Sequence, residues 1–523
     1  MLLCAHAHAE DQVDIVETIE GDAAAVPTAS EAQNQVDIVE TVEGDAATVP
    51  TASQAAPPSE PPPQFRFAGW ARQHFEWTFY GMNQQGIDAS ATIPRDRLLS
   101  RTQLFGRASY QRGRWFEATM SGVLTAVVHE QDAPPGVPFN GINGQQVRTS
   151  YAADLNELYL GFFSSALDVR VGQQRVPWGR TDVLSPNDVA NARDLRDPLL
   201  TEQELRYVPT PMLRMDVYGG PVVFEALVSP VFVPDRFVLY GGNWSAVQPS
   251  TPVEYRSLFS LLDRVLDPSL RDQANAALGQ TRLPNAGVEG ISAGSKLAVN
   301  FDGVDVSAYY HYGYDGTPFL ALEPAFAHLL QTTDLATANL VDLTPVLRGI
   351  DNGLRPYTAE YIRRHHVGLD AMTTVGPFVL RLDAAYQSQR VFYRTDLTSV
   401  ASPALLTVAA IEYQTGSIDQ VILLELIYAH VFEPGDQPLL MYERDSYGAA
   451  CIVRWTLFGP LSVDVTATWS VQPLGYTATP ALQLKMGEFA MKAGAILLGG
   501  REGSLGWYYR YNTGAFLQVR YTY

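Results

Sequence analysis

Lysine is almost missing from this chain. It appears only as Lys296, Lys485 and Lys492, so arginine carries nearly all the positive charge. Charged residues make up 18% of the sequence, below the roughly one quarter usual in soluble domains. The two cysteines, Cys4 and Cys451, lie too far apart for a disulfide framework or a zinc-ligand spacing. No run of about eighteen apolar residues occurs, which excludes a membrane-spanning helix. It does not exclude a membrane, because a barrel strand needs only about ten residues of alternating character. The net charge is −20. Phosphate binding needs a basic face, so no nucleic-acid partner is expected.

What is present begins with an acidic tail. The first 65 residues hold twelve Asp and Glu and no Lys or Arg. "MLLCAHAHAED" reads as the end of a secretory signal over residues 1–9, with Ala-x-Ala cleavage sites. "QVDIVETIEGDAAAVPTAS" at 12–30 recurs almost unchanged at 35–53. Two copies cannot stack into a solenoid. Their composition predicts a disordered tail over residues 10–64, ending in the stiff spacer "PPSEPPP". "ETIEG" and "ETVEG" resemble the short box by which TonB-dependent receptors contact their energy transducer, although those receptors place a sizeable plug domain before the barrel.

From Phe65 the pattern has period two. Phe65, Phe67, Gly69, Ala71, Phe75 and Trp77 share one parity, against Arg66, Arg72, His74, Glu76 and Thr78. Leu461, Val463, Val465, Ala467 and Trp469 likewise oppose Ser462, Asp464, Thr466, Thr468 and Ser470. Gly-Pro turns at 220–221, 376–377 and 459–460 alternate with long segments at 130–152, 176–212, 231–291 and 315–363. In hydrocarbon every backbone polar group needs a partner, so such a sheet must close on itself. The sequence therefore predicts an all-β fold over residues 65–523, a transmembrane antiparallel up-and-down β-barrel of 16–18 strands, 18 favoured. An even count places both termini in the periplasm. Helical patterning is confined to loops, near 257–277 and 324–348. The ending "GAFLQVRYTY" resembles the C-terminal signal read by the barrel-assembly machinery, with Tyr523 where Phe is usual.

The stretch "VGQQRVPWGRTDVLSPNDV" starts as a strand and becomes a polar segment. Pro177 removes a ladder donor, so pairing is expected to stop there. Gly172 and Gly179 allow close approach or positive φ. With "PTPMLRMDVYGGPVVFEALVSPVFVPDRF" at 209–237, this resembles a family of proteobacterial outer-membrane porin-like barrels with a Trp-Gly run after a strand. That family is similar in architecture to the alginate-export barrel and to exopolysaccharide-export barrels. The resemblance implies a channel in a bacterial outer membrane.

A charged segment after a terminated strand can fold inward. Trp178, Gly179, Arg180, Asp182, Asp188, Arg193, Asp194, Arg196 and Asp197 form the expected constriction loop. Its charges can pair with one another or with lumen residues such as Arg170, Arg214 and Arg381. Arg66, Arg97, Arg101, Arg107, Arg170, Arg214 and Arg381 are the expected pore lining, tempered by Glu117, Asp168, Asp216, Asp383 and Asp464. Acidic or hydroxylated solutes, glycans included, suit such walls. The alternatives are a dedicated exopolysaccharide exit channel with a periplasmic export partner, and a non-conducting adhesin or scaffold. Lipid and lipopolysaccharide would surround the barrel. No cofactor, metal or catalytic residue is expected. Gly290-Ile-Ser-Ala-Gly294 matches a hydrolase pattern but opens a strand, where the motif needs a sharp strand-to-helix turn. His365 and His366 point to opposite faces of a strand, which is wrong for joint metal ligation.

Overall fold

The structure is a computed structural model. It describes residues 62–79, 96–132, 145–201, 203–238, 242–252, 279–285, 287–324, 328, 357–394, 398–415 and 420–523. The signal-like start, the acidic repeat and most of both helix-patterned loops lie outside the described residues.

Eighteen strands form one antiparallel sheet. In chain order they are β1 Gln64–Thr78, β2 Asp96–Arg112, β3 Phe116–Asp132, β4 Gln145–Phe163, β5 Leu167–Gln174 and β6 Thr210–Gly219. Then come β7 Val222–Ser229, β8 Ser292–Phe301, β9 Val304–Tyr314, β10 Arg363–Val375, β11 Phe378–Tyr393 and β12 Ser399–Gln414. The last six are β13 Val421–Val431, β14 Asp445–Phe458, β15 Leu461–Gln472, β16 Leu474–Met486, β17 Phe489–Gly500 and β18 Gly514–Thr522. Each pairs with its sequence neighbour, and β1 also pairs with β18 from Trp70↔Thr522 to Thr78↔Gly514. The barrel is closed, so it has no free edge.

One rim carries tight turns. Gly220, Gly376 and Gly459 adopt φ of 61°, 59° and 52° there, a left-handed conformation glycine takes without steric cost. The first and last strands also end on this rim. The opposite rim carries the described parts of the connections 175–209, 230–291 and 315–362, and also 432–444 and 501–513, which the sequence pattern does not single out.

The parity division holds over most of the wall. In β1, Arg72, His74 and Glu76 are buried inward while Phe67 and Trp77 are exposed outward. Leu104, Leu124, Leu369, Leu382 and Leu424 are exposed on the outer face of their strands. Exposed aromatics gather at both rims: Phe65, Phe301, Phe458 and Phe489 near the tight turns, Trp77, Tyr151, Tyr447 and Trp469 near the long connections. An apolar band between two aromatic girdles is what a bilayer requires of a barrel.

The division fails on β12 to β14. There the inward parity is apolar as well: Val408, Ala410, Leu423, Ala450 and Ile452 are buried inside the barrel. The polar inner parity seen at Arg66 to Thr78 and Ser462 to Ser470 does not extend to this part of the wall. Val183 and Leu184, from the connection after β5, pack onto this inner patch. A second interior cluster sits above it, joining Leu406 and Val431 of the wall to Leu439, Leu440, Met441, Tyr442, Trp244, Tyr508 and Tyr509 of the long connections. Over this patch the strands are apolar on both faces because lipid covers one and folded chain covers the other, with Glu425 set among the inward apolar residues.

Candidate functional site

The connection 175–209 crosses the lumen. Strand β5 ends at Gln174 and pairing stops before Pro177. Gly172 has φ 133°, and a Cβ there would meet the Leu158 carbonyl oxygen at 2.2 Å. Trp178 turns inward and is 2% exposed. Its Nε1 donates to Glu225 of β7 at 2.7 Å, and its ring lies 5.4 Å from that of Tyr309. Gly179 has φ 94°, and an added Cβ would fall 1.8 Å from Ser185 Oγ and 2.6 Å from Asp383. Any side chain here would be strained and would displace Ser185 and Asp383.

Two wall carboxylates then hold the backbone. Asp383 of β11 accepts from Arg180 N at 3.1 Å, Thr181 N at 3.3 Å, Thr181 Oγ1 at 2.7 Å and Ser185 Oγ at 2.8 Å. Glu425 of β13 accepts from Asp182 N at 2.8 Å, Val183 N at 3.0 Å and Leu184 N at 3.2 Å. Five successive amides are satisfied by two side chains. Buried backbone donors need such partners, and hydrogen bonds to an ionised acceptor are the stronger kind. In an eighteen-stranded ring β13 stands nearly opposite β5, so the chain reaches the far wall. It then returns: Asp197 pairs with Arg101 of β2, and Arg72 of β1 donates to the Leu200 carbonyl at 3.2 Å.

Of the loop charges, Asp182 pairs with Arg381 at 2.7 Å, Arg180 with Asp370 at 3.5 Å, Arg193 with Asp188 at 3.7 Å, and Arg196 with Asp194 at 2.5 Å. Arg381 thus meets the loop. Arg170 and Arg214, also expected as loop partners, bind wall carboxylates instead: Arg170 meets Asp216 at 3.4 Å, and Arg214 meets Asp216 at 3.2 Å and Glu225 at 2.9 Å. Burial raises the Asp182 and Asp188 carboxyls above their ordinary value, against the opposing pull of Arg381 and Arg193. Burial would also raise Asp197, but Arg101, His74 and Arg72 hold it below its ordinary value.

The remaining predicted side chains are placed individually. Arg107 faces inward, 3.7 Å from Glu157, and Glu117 accepts from Thr119 at 2.7 Å and Tyr159 at 3.2 Å. Asp168 accepts from Tyr218 at 2.7 Å. Asp464 binds Lys492 at 2.5 Å. Arg66 donates to Gln64 at 3.1 Å near the tight-turn rim. Arg97 is exposed at a bulge between Asp96 and Leu98, outside the ladder. Sequence reasoning missed Glu425 and Asp370. Glu425 carried a readable signal, as the one acid in "VILLELIYAHV". Ser292 and Gly294 lie within β8, so the hydrolase-like pattern forms no nucleophile turn. His366 is buried inward and His365 is exposed outward. Among the described residues no cluster of His, Cys, Asp or Glu could hold a metal ion.

The closed sheet, the lipid-suited exterior and the segment folded into the lumen define a transmembrane β-barrel whose interior is crossed by its own chain. The family described as "Protein of unknown function (DUF1302)" matches residues 81–523, and the chain belongs to it. No curated protein matches it. Among solved structures it is similar to a triple mutant of the Rh. blastica porin, with 10% identity, TM-score 0.31, and 88% of this chain and 100% of that one covered. It is also similar to Salmonella typhi OmpF in complex with daunomycin, with 10% identity, TM-score 0.37, and 88% and 97% covered. The architecture stands on the strand pairing itself.

Proposed function

We propose that this protein is an outer-membrane channel for small polar solutes, anionic ones included, whose lumen is narrowed by the segment after β5. The observation that carries this reading is the capture of residues 180–184 by Asp383 and Glu425 on the far wall. A barrel that served only as a surface scaffold would not need its interior traversed at this height. Between the tight-turn rim and the constriction, alternating charges on β5 to β12 offer a water-filled path a succession of paired sites, with Arg170, Asp216, Arg214, Glu225, Asp370 and Arg381 facing in. Paired walls pass polar solutes without holding them tightly. The outer membrane is the compartment that suits a closed barrel with two aromatic girdles. The tight-turn rim, where both ends of the barrel lie, would face the periplasm, and Tyr523 would present the assembly signal. The test is reconstitution into planar bilayers. Stable unitary currents well below those of an unobstructed barrel are expected, and a barrel that inserts but stays electrically silent would overturn the reading.

A further inference from the structure

Three cavities inside the barrel adjoin one another and change character along their length. The first, about 100 Å³, is polar and reaches His311, Arg364, Gln387 and Arg390. The second, about 30 Å³, is lined almost wholly by apolar side chains, among them Phe392, Tyr442 and Tyr509. These two share Leu195, Asp235 and Thr317 as wall. The third, about 40 Å³, is also apolar and shares Met441 with the second. It is bounded by inward residues of β14 to β16, such as Thr468 and Thr477, and by outward ones, Tyr447, Trp469 and Tyr476. The series runs from a charged chamber in the lumen to the membrane-facing side of the wall.

The wall is thin where the series ends. The β14–β15 ladder shifts register between Tyr447 and Gly448, and small residues, Gly448, Ala449, Ser470, Gly475 and Gly506, line the opening. Bulges locally break pairing and recur beside functional sites. Met441, at the junction of the two apolar cavities, has φ 69° and is the only non-glycine residue with positive φ among those described. Such a conformation in a non-glycine residue is strained and persists where the surroundings impose it. Its thioether is also the most adaptable apolar side chain for a passage that must open.

We propose that these cavities form one binding site for an amphiphile with a single carboxylate head and an unbranched apolar tail. The head lies at Arg390, and the tail runs past Met441 toward the opening beside Gly448. Arg364 is engaged by Asp315 at 2.9 Å. Arg390 instead has Gln387 Oε1 at 3.4 Å and lies 5.8 Å from the Phe392 ring, with no carboxylate in an ion pair with it among the described residues. Arg390 lines the first cavity and Phe392, two residues along β11, lines the second; Asp235 of the wall between them is engaged by Arg193 N at 2.8 Å and Thr317 Oγ1 at 3.1 Å. A water needs roughly 10–15 Å³ of such space. Each apolar cavity therefore admits a few methylene-sized atoms, which suits a slender unbranched chain and is too small for a fused-ring body.

The site goes beyond the polar conductance proposed above and does not depend on it. The test uses the barrel in lipid nanodiscs with a decanoate carrying a terminal diazirine, and the matching decanol as the uncharged probe. Photolabelling of the peptide around Met441 is expected, competed by plain decanoate and about tenfold weaker with the decanol, the loss of one charge-assisted contact. Arg390→Gln is expected to bring decanoate labelling down to the decanol level, and Met441→Gln to lower labelling by both probes. Retained heat-modifiability on gels reports that each variant is folded. Equal labelling of the wild-type lumen by the two probes, or labelling confined to outward residues such as Trp469 and Tyr476, would overturn the proposal. The wild-type comparison decides it even if a variant fails to fold.

Discussion

Replacing Asp383 by Asn removes a charge while keeping the shape of the side chain. Asp383 Oδ2 alone receives the amide of Thr181 at 3.3 Å, the Thr181 hydroxyl at 2.7 Å and the Ser185 hydroxyl at 2.8 Å. The Asn nitrogen replaces one of the two carboxylate oxygens: in the Oδ2 place it cannot accept from Thr181 N, and in the Oδ1 place it cannot accept from Arg180 N, while the two hydroxyls can rotate to suit. One charge-assisted hydrogen bond is lost outright and the others weaken to neutral ones. A hydrogen bond to a charged group is worth about 1.5–3 kcal/mol, so release of the clamped backbone at Arg180 and Thr181 becomes about 10–150 times more frequent. Glu425→Gln acts in the same way on Asp182, Val183 and Leu184. Single-channel recording reads this directly: each variant is expected to show more time in higher-conductance states and noisier current, and the double variant more still. Identical current histograms for wild type and both single variants would refute the claim that these carboxylates hold the constriction.

Gly179→Ala forces a Cβ into the space of Ser185 Oγ at a backbone φ of 94°; a loss of several degrees in thermal unfolding, with disturbed Trp178 fluorescence, is expected. The Asp197 carboxyl is held below its ordinary 3.8 by Arg101, His74 and Arg72, so its folded-state value lies under its unfolded one. The stability it adds is present above about pH 4 and is lost as pH falls through the folded value. Wild type should therefore be more stable than Asp197→Asn from pH 7 down to about pH 4, with the gap closing only in stronger acid; a gap that closes near pH 6 would contradict this. Leu382, outward and 44% exposed, is expected to cost about 2–4 kcal/mol on conversion to Arg if it lies near the bilayer midplane, measured by equilibrium folding into lipid vesicles. A neutral outcome would mean that this parity does not face hydrocarbon.

The wall was readable because one physical rule acts on every strand. Alternation at Phe65 to Thr78 or Leu461 to Ser470 follows from lipid on one side, and the Gly-Pro turns mark the rim where strands reverse. The inward segment was readable at its start for a local reason. Pro177 ends pairing, and Gly179 must turn sharply. Its anchorage was not readable. Asp383 and Glu425 meet residues 180–184 from about 200 to 240 positions away, and no local pattern encodes which wall a crossing segment will reach. Arg170 and Arg214 illustrate the same limit. Both face inward as parity requires, but their nearest acids are Asp216 and Glu225 across the ladder, not the loop. Strands β12 to β14 were read as wall without any sign that their inner face is dry.

That dry inner face sets how far the constriction can move. Val408, Leu423 and Ile452 are at most 2% exposed because Val183 and Leu184 cover them. Full burial of one such aliphatic side chain is worth about 1.5–3 kcal/mol. Withdrawing the segment altogether would wet both the patch and its cover, a cost that remains in full when one carboxylate clamp is lost. Loss of a clamp therefore loosens the polar positions Arg180 to Asp182 and Ser185 while Val183 and Leu184 stay seated. The conductance steps released in the Asp383 and Glu425 variants should accordingly remain small beside that of an empty eighteen-stranded barrel. Only further substitution of the seat itself, such as Leu184→Ser combined with Glu425→Gln, should give the wide pore. If Glu425→Gln alone produced it, the apolar seat would contribute nothing to closure and the segment would be held by its polar contacts only.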